Sequence, residues 1–275
     1  MSEQVRAEII AIGNELLLGD VLDTNTNWLC QRITGSGGQV NRVAMVRDEI
    51  EAIAAEILSA LSRRPELIIT TGGLGPTGDD ITMQAVAEAT AQPLELHSEA
   101  LTMVEARYQD LAEKGYLRDP TLTPARKKMA YLPRGAVALG NPVGTAPAGV
   151  LEIGDTTLVS LPGVPEEMKG IYQDTLQSTL KRIFGDSYYE EKRVIALCGD
   201  ESSLAPVLAQ VVEAHPAVYI KSRARRYGSG IRILITLSLA GQGREGVQAS
   251  LADALEALTR GLAAAGFEVE PQPEE

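Results

Sequence analysis

Residues 67–80 read LIITTGGLGPTGDD. The apolar run Leu67-Ile68-Ile69 has strand character and passes straight into a loop with four glycines and a proline, the kind of junction where open parallel sheets gather their ligands. Without a Cβ, Gly72, Gly73 and Gly75 let backbone N–H groups approach phosphate oxygens, and Thr77 can add a hydroxyl donor. Yet Asp79 and Asp80 stand beside this seat and would repel a phosphate. One of them can cap the helix that follows, a placement worth roughly 0.3–1 kcal/mol, but both cannot reach the cap geometry. The second is then available for a divalent cation, Mg²⁺ or Co²⁺. Mg²⁺ takes carboxylate, water and phosphate oxygens together and would turn the repulsion into attraction.

Two other readings of the loop are weaker. Gly73, Gly75 and Gly78 spell GxGxxG, with Glu95 near the place of a ribose-binding acid. However, the loop follows the third strand of the chain, Pro76 occupies the turn, and the two aspartates sit where a pyrophosphate would meet the helix. No Gly-Lys-Ser/Thr follows, which excludes a P-loop.

Outward from the loop, apolar strands at 8–12, 39–46, 67–71, 93–96 and 137–139 alternate with helical patterns at 25–33, 49–61, 80–91 and 98–114. This is the βαβ rhythm of a mostly parallel sheet covered on both faces. A hairpin turns at Gly154-Asp155, and the stretch after PGVP reads as one long helix with Met168, Ile171, Tyr172, Leu176 and Leu180 on one face. After Gly185-Asp186 the pattern restarts as βαββαβ, a small α+β domain of ferredoxin-like or related topology. The expected domains are therefore 1–186 and 187–275, with an acidic tail, EVEPQPEE, that frays.

With 275 residues, 44% hydrophobic, the chain can bury two medium cores. A net charge of −12 argues against general affinity for nucleic acid or anionic membranes and favours a small-molecule ligand. The sequence shows neither a signal peptide nor a run approaching the roughly 20 apolar residues of a membrane span, so a cytoplasmic location is expected. Two cysteines and two histidines offer no disulfide framework, cysteine metal site or histidine-based catalysis.

Five stretches in order, GNELLLGDVLDTNTNWL (13–29), VRDEIEAI (46–53), TGGLGPTGDDIT (71–82), LPRGAVALGNPVGTAP (132–147) and LPGVPEEMK (161–169), resemble the competence/damage-inducible protein A (CinA) family and the wider molybdopterin-binding domains. The resemblance implies a three-layer α/β/α domain with a mostly parallel sheet, followed by a KH-like second domain, and a homodimer. It also implies metal-dependent cleavage of the pyrophosphate of ADP-ribose or a related dinucleotide such as FAD, often with K⁺. The family's deamidase domain is not expected in a chain of 275 residues.

Site candidates follow from both lines. Asp48 sits at the carboxyl edge after the second strand, as an active-cleft acid or as N-cap of the helix from Glu49. The resemblance places Asn14 and Glu15 beside the substrate, where Glu15 could hold metal or a ribose hydroxyl. Asp23 and Asn25 read rather as a helix start. Asn141, Gly144 and Thr145 form a polar turn for base or phosphate, and Gly163 can present N–H groups at a helix start. Lys128 and Arg126 either neutralise charge on the leaving phosphate or balance an acidic surface. The chemistry expected is a metal-activated water attacking phosphorus, with Asp79 and Asp80 as ligands and catalytic duties shared with Asp48 and Lys128. A passive molybdopterin receptor or adenylyl-transfer protein is the competing reading. Nucleic-acid binding by the basic hairpin 221–232 is disfavoured, because a KH grip needs GxxG and the turn reads GSG.

Overall fold

The computed structural model describes residues 4–198, 200–227 and 230–271. Two compact units divide the chain: one holds Val5–Ile33 and Gly38–Gly185, and the other runs from Asp186 onward and includes Thr34–Gly37.

Chain order through the first unit is β1 (Arg6–Ile12), α1 (Asn14–Leu18), α2 (Thr24–Gly35), β2 (Gln39–Val46), α3 (Ile50–Ser62), β3 (Leu67–Thr71) and α4 (Thr82–Ala89). Then come β4 (Leu94–Leu96), α5 (Ser98–Glu113), α6 (Pro124–Lys128), β5 (Tyr131–Pro133), β6 (Val137–Leu139), β7 (Ala148–Ile153), β8 (Thr156–Leu161), α7 (Pro165–Gln173) and α8 (Gln177–Phe184). The six-stranded sheet is ordered β2-β1-β3-β8-β7-β6. Neighbours from β2 to β8 are parallel, while β7 runs against β8 and β6 against β7.

Every residue of β3 is buried, as the apolar run of a strand covered on both faces requires. Side chains divide by the period of two: Ile10, Ile12, Ile68 and Leu158 enter one core with residues of α3, α4 and α5. Ile9, Leu67, Ile69, Val159 and Leu161 enter the other with α2, α7 and α8. Leu67, Ile68 and Ile69 are fully buried, and each contributes roughly 1.5–3 kcal/mol by leaving water. The result is the expected three-layer α/β/α domain. Glu8, buried in β1, is held by the Arg63 fork, whose Nε and Nη2 donate to its two oxygens at 2.7 and 2.6 Å.

Two local expectations are corrected in this unit. The strand at 93–96 forms as β4 but pairs with β5 outside the main sheet. The long helix after PGVP is two helices, because Asp174 leaves helical geometry (φ −115°, ψ −80°) and the Leu176 N–H bonds back to the Ile171 carbonyl. The Thr175 hydroxyl at this break donates to the Gly140 carbonyl at 2.9 Å, with the Ile171 carbonyl at 3.4 Å. Two five-residue helices, α1 and α6, add to the helical patterns read from the sequence.

In the second unit β9 (Ser187–Leu197), α9 (Ala205–Ala214), β10 (Tyr219–Tyr227), β11 (Gly230–Gln242), α10 (Arg244–Ala264) and β12 (Glu268–Pro271) realise the βαββαβ order. The antiparallel sheet is ordered β10-β11-β9-β12, which is the split-βαβ arrangement. Val247, Leu251, Leu258 and Leu262 along α10 lie on its buried face. Of the tail expected to fray, Glu268–Pro271 instead forms β12 on β9, while 272–275, like Gly228 and Ser229, lie outside the described residues.

Candidate functional site

The chain enters β1, crosses to β2 on one side, then returns past β1 to place β3 on the other. That reversal opens a crevice beyond the carboxyl ends of β1 and β3. The segments that follow all four parallel strands meet there. A cleft of about 440 Å³ is lined by Gly13 and Glu15 after β1, Asp48 after β2, Gly72 to Pro76 with Asp79 and Asp80 after β3, and Pro162 to Val164 after β8, with Thr145 and Glu167 on its wall.

The glycine loop is fixed by what a side chain would hit. A Cβ on Gly72, whose φ is +115°, would lie 2.1 Å from the Ile12 carbonyl oxygen, and one on Gly73 (φ +67°) would lie 2.3 Å from Thr82 Oγ1. Thr82, buried at the start of α4, ties the loop down: its hydroxyl donates to the Gly72 carbonyl at 2.7 Å and its N–H to the Gly73 carbonyl at 3.1 Å. Asn25 and Gly163 close the opposite edge. The Asn25 amide donates to the Gly163 carbonyl (2.8 Å) and to Thr71 Oγ1 (3.2 Å), so this residue clamps two loops, while Asp23 caps α2 through the Thr26 N–H.

At the loop's end Thr77 lies between the paired acids. Its Oγ1 is 2.5 Å from Asp79 Oδ1 and 2.6 Å from Asp80 Oδ2, and its N–H also donates to Asp80 at 2.8 Å. A hydroxyl carries one proton, so it satisfies one carboxylate and turns a lone pair on the other. The Thr77 bond holds the Asp79 carboxyl below the usual range, with its own backbone N–H and the charge of Lys128 acting the same way. Asp79 is thus ionised at neutral pH, the form a cation binds.

Five carboxylates line this cleft, those of Glu15, Asp48, Asp79, Asp80 and Glu167, and none of its lining residues is Lys, Arg or His. Such a donor set fits a hard cation with oxygen ligands. Among the described residues no three acids, histidines or cysteines converge closely enough to enclose a metal ion. A cation held by Asp79 and Asp80 alone would therefore keep sites for water and ligand oxygens, as Mg²⁺ does.

The other candidates divide by what their polar atoms already do. One Asp48 oxygen accepts the Asn14 N–H at 2.7 Å, so this carboxylate anchors the start of α1, while the helix after it is N-capped by Glu49 without a side-chain bond. Asn141 organises its own turn. Its oxygen accepts from the Val143 and Gly144 N–H groups, and its amide donates to the Ala146 carbonyl and, at 2.7 Å, to Glu167 Oε2. Gly144 supports from behind, where a Cβ would lie 2.0 Å from the Glu167 carboxylate. Lys128 lines a different cavity and donates to the Thr77 carbonyl; Arg126 bonds the Asp119 and Thr121 carbonyls and covers the Tyr108 ring.

Glu167 escaped the sequence reading, as did Thr82 and the clamping role of Asn25. Burial pushes the Glu167 carboxyl above its usual range, against the opposing pull of the Asn141 bond and the Arg107 charge.

Comparison with known proteins places this architecture. A family model described as "Probable molybdopterin binding domain" matches residues 8–182. Protein PH0439 of Pyrococcus horikoshii is 41% identical over 231 residues, 84% of this chain and 89% of that protein. A protein of Aeropyrum pernix is 41% identical over 267 residues, 95% of each. The crystal structure of the protein CinA, of unknown function, from Thermoplasma acidophilum is 34% identical with a TM-score of 0.58, covering 66% of this chain and 98% of that one. The chain belongs to the molybdopterin-binding-domain family and, within it, to the CinA-like proteins. Among the described residues no helix is long and apolar enough to cross a membrane.

Proposed function

We propose that this protein is a divalent-cation-dependent hydrolase of nucleotide diphosphates such as ADP-ribose, with FAD as a second candidate, releasing AMP. The observation that carries the reading is a cleft built at a glycine loop whose charged lining residues are all acids. Backbone N–H groups there suit an anion, and carboxylates alone would expel one unless a cation joins them. A bound Mg²⁺ or Co²⁺ would neutralise the diphosphate and draw charge from the phosphorus under attack. Asp79 and Asp80 would hold it, with the Thr77 hydroxyl bonded to Asp79 and its N–H to Asp80.

The remaining steps belong to the chain's own groups. Gly72, Gly73 and Gly75 admit the diphosphate close to the backbone, and Glu15 at the cleft's rim accepts a ribose hydroxyl. Glu167, half-buried on the cleft wall, takes the proton from the water that adds to phosphorus as the bond to the bridging oxygen breaks. Asp48 keeps the β1–α1 turn in place through Asn14.

Incubation with Mg²⁺ or Co²⁺ and ADP-ribose, FAD or NAD, followed by chromatography for AMP, tests this. Folded protein that releases no AMP from any of them ends the proposal. The family match to molybdopterin-binding domains supports a second reading, a pterin receptor using the same loop. Co-purifying pterin fluorescence without hydrolysis would favour it.

A further inference from the structure

Across the glycine loop from the carboxylates lies a second cleft, of about 350 Å³. Gly73, Leu74, Gly75 and Asp80 line both clefts, so the two are separated by little more than the loop backbone. Their chemistry is opposite. The second is walled by Met83 of α4, Leu94 of β4, Met129, Tyr131 of β5, Pro124 and Pro147. Its polar groups besides Asp80 are Gln84, Lys128 and the Tyr131 hydroxyl.

We propose that this cleft seats the purine ring of the nucleotide whose diphosphate lies against the carboxylate cleft, the ligand crossing the loop at Gly75. The inference rests on the diphosphate reading of the first cleft. A flat heteroaromatic ring gains little among five carboxylates, but thioether and aromatic surfaces each favour it. The Gln84 amide carries both a donor and an acceptor, the pair an adenine edge presents in reverse. The volume lies in the range of small-molecule sites, about 300–1,000 Å³. Gly75 itself places no side chain at the crossing point, where a Cβ would lie 2.7 Å from Asp80 Oδ2. The Lys128 ammonium, bonded to the Thr77 carbonyl, puts a positive charge beside the path of the phosphates.

Calorimetric titration of the full chain in Mg²⁺ with AMP, inorganic pyrophosphate and neopterin tests the assignment, using wild type, Tyr131→Ala and Gln84→Ala. Gln84 is exposed, so its truncation leaves folding intact. Expected is a loss of AMP affinity of about tenfold in Tyr131→Ala and about threefold to tenfold in Gln84→Ala, with pyrophosphate binding within about twofold of wild type. AMP that fails to bind wild type, or binds both variants as well as wild type, overturns the assignment. Neopterin binding that depends on Tyr131 where AMP binding does not also overturns it, in favour of a pterin seat. Absence of hydrolysis with AMP still lost in the variants would sink the hydrolase and leave the ring site standing.

Discussion

Replacing Gly72 with alanine sets a methyl group against a carbonyl that cannot move. The new Cβ would lie 2.1 Å from the Ile12 oxygen and 3.1 Å from its carbon, where contact distances are normally above 3 Å. Ile12 ends β1 in register with Val46, and Gly72 itself is pinned by its N–H to the Leu161 carbonyl (3.0 Å) and by Thr82 Oγ1 at its own carbonyl (2.7 Å). Retreat in either direction breaks a bond at the end of the sheet. Holding a non-glycine residue at φ +115° costs about 1–3 kcal/mol, and forcing a methyl into a filled space about as much again. The sum, about 2–6 kcal/mol, is a large part of the 5–15 kcal/mol typical of a domain. Urea unfolding followed by circular dichroism reads it as a lower midpoint at similar slope. Gly78→Ala is the control: nothing lies within 4 Å of its Cβ position and its φ is not in the left-handed range, so stability should change by less than about 1 kcal/mol. If Gly72→Ala proves as stable as Gly78→Ala, the loop is not braced as described.

Arg63→Met leaves the buried Glu8 carboxylate without its fork and should destabilise the first unit by about 3 kcal/mol at neutral pH, read by the same unfolding curves; an unchanged midpoint would refute the pairing. Burial raises the Glu167 pKa above its ordinary 4.5, so the folded state holds this proton more tightly and stability falls as pH rises through that raised value. Glu167→Gln should therefore gain on wild type as pH climbs from about 4.5, and a difference independent of pH would contradict this. In the second unit Glu190 is held down to about 2 by Lys192, Gln248 and Tyr188. Its stabilisation is complete above the ordinary value of 4.5 and is lost as pH falls toward 2, so Glu190→Gln should flatten acid unfolding across that window.

The sheet was legible because burial on both faces leaves an unambiguous apolar run, as in Leu67-Ile68-Ile69, and the β2 and β6 boundaries coincide with expectation at 39–46 and 137–139. The helix break at Asp174 was not, since Met168, Ile171, Tyr172, Leu176 and Leu180 are all buried whether or not the axis bends between them. Of the two five-residue helices, α1 is anchored at its start by Asp48, 34 residues away, whereas α6 carries a local start signal in the Thr123 cap and Pro124.

At the site, the glycines and paired acids announced themselves by composition. Glu167 did not, because an acid in the first turn after a proline reads as a macrodipole partner. Only the fold brings it to Asn141 and to the wall of the cleft, 26 residues away in the chain. Asn141 shows the converse: a polar turn residue that looks ready for a ligand spends its donors and its acceptor on its own loop and on Glu167.

The central claim is that a dication joins Asp79 and Asp80 to a nucleotide's diphosphate. AMP release from ADP-ribose, measured on chelator-stripped protein before and after Mg²⁺ or Co²⁺ is returned, tests it on wild type and on Asp80→Asn. Release is expected only with cation, with a loss of about a hundredfold or more in the variant. Equal release after complete chelation, or an Asp80→Asn protein as active as wild type, would contradict it.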